Sequence, residues 1–308
     1  MTTVASLLTP LYQVTPRDLP AATQADQQRL THVVQVVTEC CHLALRTPNL
    51  TMLCRKLDRY PEELLGFAYE GAGVGLAAID TAFPWYSRTR QFTNEYATDY
   101  KYAIYLGAGM GLARVRRRPD RFIRRLRDDV FGWVVWDGVG FHQGLFGYRR
   151  HVQERHVPVG IGGFTLSVFD HGLGRAIWFG TGADVATAAA TINAFPQPRR
   201  GDLWAGIGLA SSYTGGADPA EIATLLGYAG AYADRVAEGA AVAAKNRHDP
   251  ANASSHNHSA VEALCGADTT IVSQYANQAL NELPTDGPEP AYGIWRSRLR
   301  HLNRGVAA

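Results

Sequence analysis

Apolar residues recur along this chain at intervals of three and four, the spacing that places them on one face of a helix. Several of these runs begin with a proline beside acidic residues, a combination that is favoured in a first helical turn. Three such starts are Pro61-Glu62-Glu63, Arg118-Pro119-Asp120 and Asp218-Pro219-Ala220-Glu221. The pattern predicts a chain of helices joined by short turns.

Four further segments have a pattern of their own. Residues 217–245 are rich in alanine without an interrupting proline and predict a strong, continuous helix. Residues 157–169 are the best strand candidate, although their three glycines make the assignment ambiguous. Residues 248–259 predict a polar loop, and the proline-rich segment 283–290 predicts a linker to a last basic helix over residues 292–303.

A short phrase made of an aromatic residue and two glycines recurs along the helical runs. Clear copies occupy residues 69–77, 105–113, 136–140 and 204–210, and looser copies occupy residues 169–174 and 237–240. The lead glycines follow one another at intervals of 31 to 36 residues: Gly71, Gly107, Gly138, Gly172, Gly206 and Gly239. A nearly fixed period of this size is typical of stacked helical units.

The repeat predicts an all-α fold, an array of paired helices with a period of roughly 34 residues that is TPR-like or solenoid-like. We expect residues 1–60 to form an N-terminal helical cap, residues 61–283 the repeat domain, and residues 284–308 a linker and a C-terminal helix packed on the repeats. Glycines four apart, such as Gly71 and Gly75, share a helix face and let a neighbouring backbone approach closely. The alternative, that these bare faces line a slot for a flat or rod-like ligand, is the less favoured one.

Composition narrows the function classes. The 308 residues carry 30 basic and 28 acidic side chains, so no overall field attracts nucleic acid or an anionic membrane. Nearly all of the basic residues are arginine, which is typical of a bacterium with GC-rich codons. Four cysteines without metal-site spacing, no signal-peptide pattern and no bilayer-spanning apolar run predict a soluble cytoplasmic protein.

The glycine phrases resemble a dinucleotide-binding fingerprint only superficially. That fingerprint needs glycine or alanine at its sixth position and a strand before it, whereas this chain has Leu76 and Leu112 at that position. No motif for a P-loop, a nucleophile elbow or a zinc protease is present. His256 and His258 have no spaced third ligand, so we predict a surface loop there, no metal site and no cofactor.

Acidic residues stand just before the lead glycine in four of the six phrases. They are Glu70, Asp137, Asp170 (offset by one residue) and Glu238. Equivalent positions of stacked repeats point in similar directions, so these carboxylates are expected to line one groove, together with His142 and His171. Carboxylates and imidazoles in an apolar groove are suited to acid–base catalysis, and Glu70, Asp137, His142, Asp170 and His171 are the candidate catalytic residues. The competing interpretation is that each acid caps a helix or pairs with an arginine.

Aromatic side chains flank these polar residues. The candidate substrate-binding residues are Tyr69, Trp136, Phe141, Trp178 and Trp204, with Glu238 beside them. A groove with carboxylates, histidines and many rings suits a long unsaturated molecule better than a sugar or a nucleotide.

A run of arginines between residues 114 and 127 is the one strong charge asymmetry of the chain. Such a run is usually a solvated helix face. Its functional interpretation is a docking patch for an acidic partner, with Arg117, Arg121 and Arg124 as the contacting residues. Nucleic acid is a less favoured partner because the whole chain is not basic.

The set of phrases resembles a bacterial family of unassigned domain function, the UnbL-like proteins of enediyne polyketide cassettes. The resemblance spans about residues 60 to 300 and is carried by the segments 69–71, 136–144, 169–175, 202–210 and 291–296. It implies a role in converting a linear polyene, released by an iterative polyketide synthase, into the enediyne core. It also implies the acyl carrier domain of that synthase and other cassette proteins as partners.

The leading interpretation is an enzyme that acts on an apolar polyene or polyyne by acid–base chemistry, through cyclisation, isomerisation or desaturation, without a tightly bound organic cofactor. A non-catalytic scaffold that holds the intermediate or the acyl carrier domain is the main alternative. A cyclase or isomerase of an isoprenoid chain is a third interpretation, disfavoured because the chain lacks a diphosphate-binding metal motif.

Overall fold

The computed structural model describes residues 24–284 and 287–306, and these ranges contain fifteen α-helices and no strand. The prediction of an all-α array is therefore confirmed. We number the helices in chain order: α1 Gln24–Arg46, α2 Leu50–Leu57, α3 Glu62–Ala82, α4 Arg88–Glu95, α5 Lys101–Arg114, α6 Asp120–Leu126, α7 Val134–Phe146, α8 Gly163–Gly180, α9 Val185–Asn193, α10 Gln197–Thr214, α11 Pro219–Ala229, α12 Ala233–His248, α13 Ser255–Cys265, α14 Thr269–Gln278 and α15 Ala291–Val306.

Seven of the helices form a row in which each packs along the next. In order they are α1, α3, α5, α7, α8, α10 and α12, and shorter helices connect most of them. The connection from α7 to α8 differs, because it holds a π-helical turn, Arg149–Gln153, and an irregular stretch instead of an α-helix. The period of roughly 34 residues thus stays a prediction from glycine spacing. The three domain boundaries also stay predictions. Residues 1–23 of the predicted cap lie outside the described residues.

The two glycines of each phrase face the two neighbours of their helix. A Cβ atom on Gly107 of α5 would overlap the Glu70 carbonyl oxygen of α3, and one on Gly109 would overlap the Val135 carbonyl oxygen of α7. Residues two apart in an α-helix point in directions about 200° apart, so the phrase clears both sides at once. The glycines therefore serve close helix packing and not a ligand slot.

Glycines four apart do share one face, as the sequence predicts. Gly71 and Gly75 of α3 both lie against α1, at the carbonyl oxygens of Val37 and Cys41. The missing side chains let the backbones of α1 and α3 come into direct contact, which offsets the roughly 1 kcal/mol by which each glycine disfavours a helix relative to alanine.

The row curls back on itself, so that α10 and α12 reach α3. The Tyr213 side chain of α10 lies against Gly66 and packs edge-on against Phe67. Arg247, at the end of α12, donates hydrogen bonds to the carbonyl oxygens of Glu63 (2.7 Å) and Tyr213 (2.6 Å). The curl gives the array an enclosed inner side.

The last helix is held to the array by buried charges and one indole. Glu238 of α12 accepts hydrogen bonds from Arg296 (2.5 Å) and Arg300 (2.7 Å) of α15. Trp295 donates its indole N–H to the Ala276 carbonyl oxygen of α14 at 2.9 Å. The basic helix predicted at this end of the chain is thus present and packs on α12 and α14.

Three predictions of local structure are wrong. The polar loop predicted over residues 248–259 is shorter, because α13 begins at Ser255. Residues 157–169 form no strand, since residues 157–162 are irregular and α8 begins at Gly163. The helix predicted over residues 217–245 is broken after Ala229 by the turn Gly230–Tyr232. Gly230 has a φ angle of +53°, a backbone conformation that glycine adopts without steric cost. This glycine ends the helix within the alanine-rich run.

Candidate functional site

A cleft lies on the inner side of the array between α1, α3, α5, α7 and α8. Its volume is about 60 Å³. Each of the five helices contributes apolar side chains to its wall, among them Val37, Val74, Met110, Phe141 and Phe179. A concave and mostly apolar site with a few polar groups is the usual form of a small-molecule site.

A second, more polar cavity of about 20 Å³ adjoins the cleft. Its wall includes Tyr102, Tyr213 and Asn246. Glu70 and Arg175 line both cavities, so the two spaces meet at these side chains. We call this meeting point, defined by Glu70 and Arg175, the junction.

Glu70 is a buried carboxyl group without a hydrogen-bond partner among the described residues. It precedes Gly71 on α3, and its exposed fraction is 4%. Burial raises the pKa of Glu70 to about 7, with a smaller lowering by the charge of Arg175 and a further raising by Asp137. A carboxyl group with this pKa can both release and accept a proton at neutral pH.

Asp137 of α7 is the centre of a fully buried polar network. Its Oδ2 atom lies 2.6 Å from His171 Nδ1 and 3.4 Å from the Tyr102 hydroxyl, and Arg175 Nη1 donates to its Oδ1 at 3.2 Å. Burial acts to raise the pKa of Asp137, but the charges and hydrogen bonds of His171 and Arg175 outweigh it and lower the pKa. The carboxylate therefore stays ionised and fixes both partners.

His142, also on α7, lines the cleft with a neutral imidazole. Its exposed fraction is 9%, and neither ring nitrogen has a hydrogen-bond partner among the described residues. Burial, followed by the positive charge of Arg114, lowers its pKa to about 4. At neutral pH the ring is an unprotonated base on an apolar wall that also holds Phe146, 4.7 Å away between ring centroids.

Arg175 is a site residue that the sequence reasoning missed. Its guanidinium carbon lies 4.6 Å from the Phe141 ring centroid, a cation–π contact. Apart from Nη1, its nitrogens donate to no side chain or carbonyl group within the described part of the chain. Unused donors on a buried guanidinium are uncommon, and here they lie at the junction of two cavities.

A signal for Arg175 was present in the repeated phrase. The residue three positions after the lead glycine lines one of the two cavities in five successive phrases, where it is Val74, Met110, Phe141, Arg175 or Leu209. Arg175 is the single charged member of this set. The third residue after the lead glycine thus faces a cavity in five of the phrases. In the first phrase Glu70, the residue before the lead glycine, faces a cavity as well.

Two predicted acids lie away from the cleft in ion pairs of their own. Asp170 accepts hydrogen bonds from Arg199 Nη2 (2.5 Å) and Nε (2.8 Å). Glu238 pairs with Arg296 and other arginines and anchors α15. The offset noted at Asp170 explains its position, since the residue equivalent to Glu70 and Asp137 is His171.

Of the predicted substrate-binding rings, only Phe141 lines the cleft. Tyr69 donates its hydroxyl to Asp58 at 2.7 Å and stacks on Tyr100, and Trp178 donates its indole N–H to the Gly215 carbonyl oxygen at 2.8 Å. Trp136 and Trp204 are also buried in the core. These rings stabilise the array, and the rings of the cleft wall are phenylalanines instead: Phe67, Phe141, Phe146 and Phe179.

The predicted docking arginines are on the surface. Arg117, Arg121 and Arg124 are exposed, on α6 and the turn before it. Their neighbour Arg125 has a structural role, because it donates hydrogen bonds to the carbonyl oxygens of Asp80 and Tyr86. The arginine run is therefore divided between packing and surface.

The surface loop predicted at His256 and His258 is wrong, because both residues lie on α13. His256 Nε2 is 2.8 Å from the Ser211 carbonyl oxygen, and His258 is exposed. Residues 24–284 and 287–306 contain no group of three histidine, cysteine or acidic side chains placed to hold a metal. None of the helices described is both long and apolar enough to cross a membrane.

The fold and the site define a class: an all-helical curled array with an apolar inner cleft and a buried acid–base cluster. Within that class the chain belongs to the family described as "Protein of unknown function (DUF1702)", whose model matches residues 6–302. No protein of curated function matches the chain significantly. No solved structure does so either.

Proposed function

We propose that this protein is a bacterial, cytoplasmic enzyme that takes an apolar unsaturated chain into the cleft and transfers protons to or from it through Glu70. The observation that carries the proposal is the state of that side chain: a carboxyl group without a partner among the described residues, with a pKa of about 7, in an apolar cleft. A group of this kind destabilises the fold, so its presence favours a functional role.

The other polar residues have distinct parts in this proposal. Neutral His142 lines the same cleft and supplies a second base, so one group can remove a proton while Glu70 delivers another. Asp137 holds Arg175 at the junction by an ion pair. Such chemistry is an isomerisation or cyclisation that needs no oxidant and no tightly bound organic cofactor.

The substrate that we propose is a linear conjugated polyene of enediyne biosynthesis. Support comes from the apolar wall of the cleft and from the resemblance of the glycine phrases to the UnbL-like proteins. The exposed residues Arg117, Arg121 and Arg124 support a docking surface for the acidic acyl carrier domain that would deliver such a chain.

The test is turnover of a linear conjugated polyene by the purified protein, followed by visible absorption and mass spectrometry. We expect loss of the polyene bands over many turnovers, and at least a hundredfold slower loss with Glu70→Gln, because the amide cannot exchange the proton. Glu262→Gln, at an exposed position of α13, is the matched control and keeps full activity.

Two outcomes would contradict the proposal. Equal turnover by the wild type and Glu70→Gln would remove Glu70 from the chemistry. A stoichiometric band shift with unchanged mass would identify a carrier instead of an enzyme. Asp137 is a poorer first target, because its replacement leaves the buried charge of Arg175 unbalanced and confounds chemistry with folding.

A further inference from the structure

The junction of the two cavities holds hydrogen-bond donors that the fold does not use. Arg175 is 5% exposed, and only its Nη1 atom donates to another residue of the described ranges. Glu70 of α3, when protonated, offers an O–H group to the same two cavities. Buried donors are nearly always satisfied, so two unused groups at one point indicate that a ligand acceptor binds between them.

We propose that the ligand carries a neutral carbonyl oxygen, which binds at the junction and accepts hydrogen bonds from Arg175 and protonated Glu70. This inference rests on the proposed function and specifies its substrate class, an apolar conjugated chain bearing a ketone, aldehyde or thioester.

The charges at the junction select a neutral acceptor over an anion. The positive charge of Arg175 is already balanced by Asp137, which is bonded to it at 3.2 Å. Burial raises the pKa of Glu70 by more than the charge of Arg175 lowers it, so a charge at the junction is disfavoured even beside that guanidinium. A ligand carboxylate would add a further negative charge to this buried cluster, whereas a carbonyl group supplies the lone pairs without the charge.

The shapes and walls of the two cavities place the carbonyl group in the same position. The larger cleft has an apolar wall, which suits a hydrocarbon chain. The smaller cavity has Tyr102, Tyr213 and Asn246 in its wall, groups that suit a polar end of the molecule. A molecule that spans both has its change from apolar to polar at Glu70 and Arg175.

A carbonyl group at the junction also makes the proposed proton transfers easier. Loss of a C–H proton from a conjugated ketone places negative charge on the carbonyl oxygen, where Arg175 stabilises it. The proton goes to a base such as His142, and Glu70 delivers its own proton to the oxygen, which gives the enol. His142 then returns its proton to a different carbon while the enol O–H proton goes back to Glu70, which yields an isomeric ketone and restores both side chains, so atoms and charges balance without an oxidant.

The experiment compares three linear tetraenes that share one chain: a hydrocarbon, a methyl ketone and a carboxylic acid. Affinity is measured from the polyene absorption at pH 6 and pH 8, and the ketone C=O stretch by infrared difference spectroscopy. We expect the ketone to bind at least about tenfold more tightly than the hydrocarbon and the acid at pH 6, with its C=O stretch lowered. Its affinity should fall between pH 6 and pH 8, as Glu70 loses the donated proton.

Glu70→Gln separates this inference from a general effect of pH. The amide keeps an N–H donor but does not titrate, so the variant should bind the ketone with little dependence on pH. Arg175→Lys keeps the charge with a different donor geometry and should weaken ketone binding alone. If Arg175→Lys does not fold, the infrared shift of the bound ketone and the pH dependence of its affinity for Glu70→Gln still test the carbonyl site.

Each remaining outcome overturns one claim or both. Equal affinity for ketone and hydrocarbon without an infrared shift contradicts the carbonyl site and leaves the proposed function intact. Tightest binding of the acid contradicts the charge argument. No binding of any tetraene removes the carbonyl site together with the proposed apolar substrate.

Discussion

At the scale of single residues, Glu70 has an environment that is unfavourable to folding. It is buried, its carboxyl group has no hydrogen-bond partner in the described chain, and its pKa is about 7 against an ordinary 4.5. The folded protein must therefore either hold a proton that the unfolded chain has lost or bury a charge. Both options cost free energy above pH 4.5.

The sign of the resulting pH dependence follows from proton binding. Between about pH 4.5 and pH 7 the folded state keeps the Glu70 proton and the unfolded state does not, so the stability falls as the pH rises. The difference of the two pKa values corresponds to about 3 kcal/mol at most. We expect Glu70→Gln to be more stable than the wild type at pH 8, by up to this amount, and nearly equal at pH 4.5, as measured by urea unfolding.

Glu262→Gln provides the control for this measurement, because its position on α13 is exposed and its replacement should change little at either pH. A Glu70→Gln variant less stable than the wild type at pH 8 would contradict the prediction, because it would mean that ionised Glu70 stabilises the fold. A gain in stability together with a loss of turnover is the combination typical of a functional residue.

The sequence allowed several residues of the site to be predicted, for a physical reason. Stacked repeats orient equivalent positions alike, which selected Glu70 and Asp137. Glu70 and His142 line the cleft, whereas Asp137 and His171 pair with each other outside the walls of both cavities. The same reasoning failed for Asp170 and Glu238, because the partners that neutralise them, Arg199 and Arg296, lie 29 and 58 residues away along the chain. Ion pairs of this separation leave no local pattern.

At the scale of helices, the glycine phrase encodes a two-sided contact. Gly109 of α5 lies against Val135 of α7, while Gly107, two residues earlier, lies against Glu70 of α3. A helix in the middle of the row needs both glycines. The phrase therefore repeats wherever a helix has two close neighbours, and it is a property of the array more than of any one helix.

Replacing a phrase glycine should separate two helices. A Cβ atom on Gly109 would overlap the Val135 carbonyl oxygen, and backbone cannot move aside as a side chain can. We expect Gly109→Ala to destabilise the protein by about 3 kcal/mol or more, since it overpacks a backbone contact. Urea unfolding with circular dichroism at 222 nm is the measurement.

Gly227 of α11 supplies a control of opposite sign. A Cβ atom there would meet nothing within 4 Å, and the position is exposed. Gly227→Ala should stabilise the protein by up to about 1 kcal/mol through helix propensity alone. A loss of stability in Gly109→Ala no larger than in an ordinary surface variant would show that α5 and α7 do not depend on close backbone contact.

The sequence predicted the presence of the helices better than the positions at which they end. Proline with acids marked the start of α11, where Asp218 and Glu221 form a capping box. The end of α11 at Gly230 was missed, because its stop signal is one glycine in an alanine-rich run. The false strand at residues 157–169 has a similar origin, since β-branched residues beside glycine also suit an irregular connection and the start of α8.

At the scale of the whole molecule, the curl of the row decides where the cleft lies. Arg247 on α12 bonds to the Glu63 carbonyl oxygen on α3, a contact between residues 184 positions apart. Cation–π contacts to Tyr213 (4.1 Å) and Phe67 (5.2 Å) support its buried charge. A repeat period indicates that units stack, but the curvature depends on such long-range contacts and could not be read from the pattern.

The curl leaves the arginines of α6 on the outer surface, where a partner can reach them. Arg117, Arg121 and Arg124 are exposed, while Arg118 and Arg125 are engaged with Asp120, Gly160, Asp80 and Tyr86. The free part of the run is therefore compact and positively charged. Charge complementarity of this kind acts mainly on encounter rate and orientation and is screened by salt.

Charge reversal tests the docking surface on the intact protein. The triple variant Arg117→Glu, Arg121→Glu, Arg124→Glu should bind the acyl carrier domain of the polyketide synthase about tenfold or more weakly in low salt. The effect should be smaller at about 0.5 M salt, where the Debye screening length is below about 5 Å. Turnover of free polyene should be unchanged, because the cleft lies on the inner side of the array. Biosensor binding at both salt concentrations is the measurement.

The matched control reverses Arg46, Arg55 and Arg59, three exposed arginines of the α1–α3 region, and alters the net charge by the same amount. If both triple variants weaken binding equally, the attraction comes from overall charge and not from this surface, and if neither does, the arginines of α6 are only a solvated helix face.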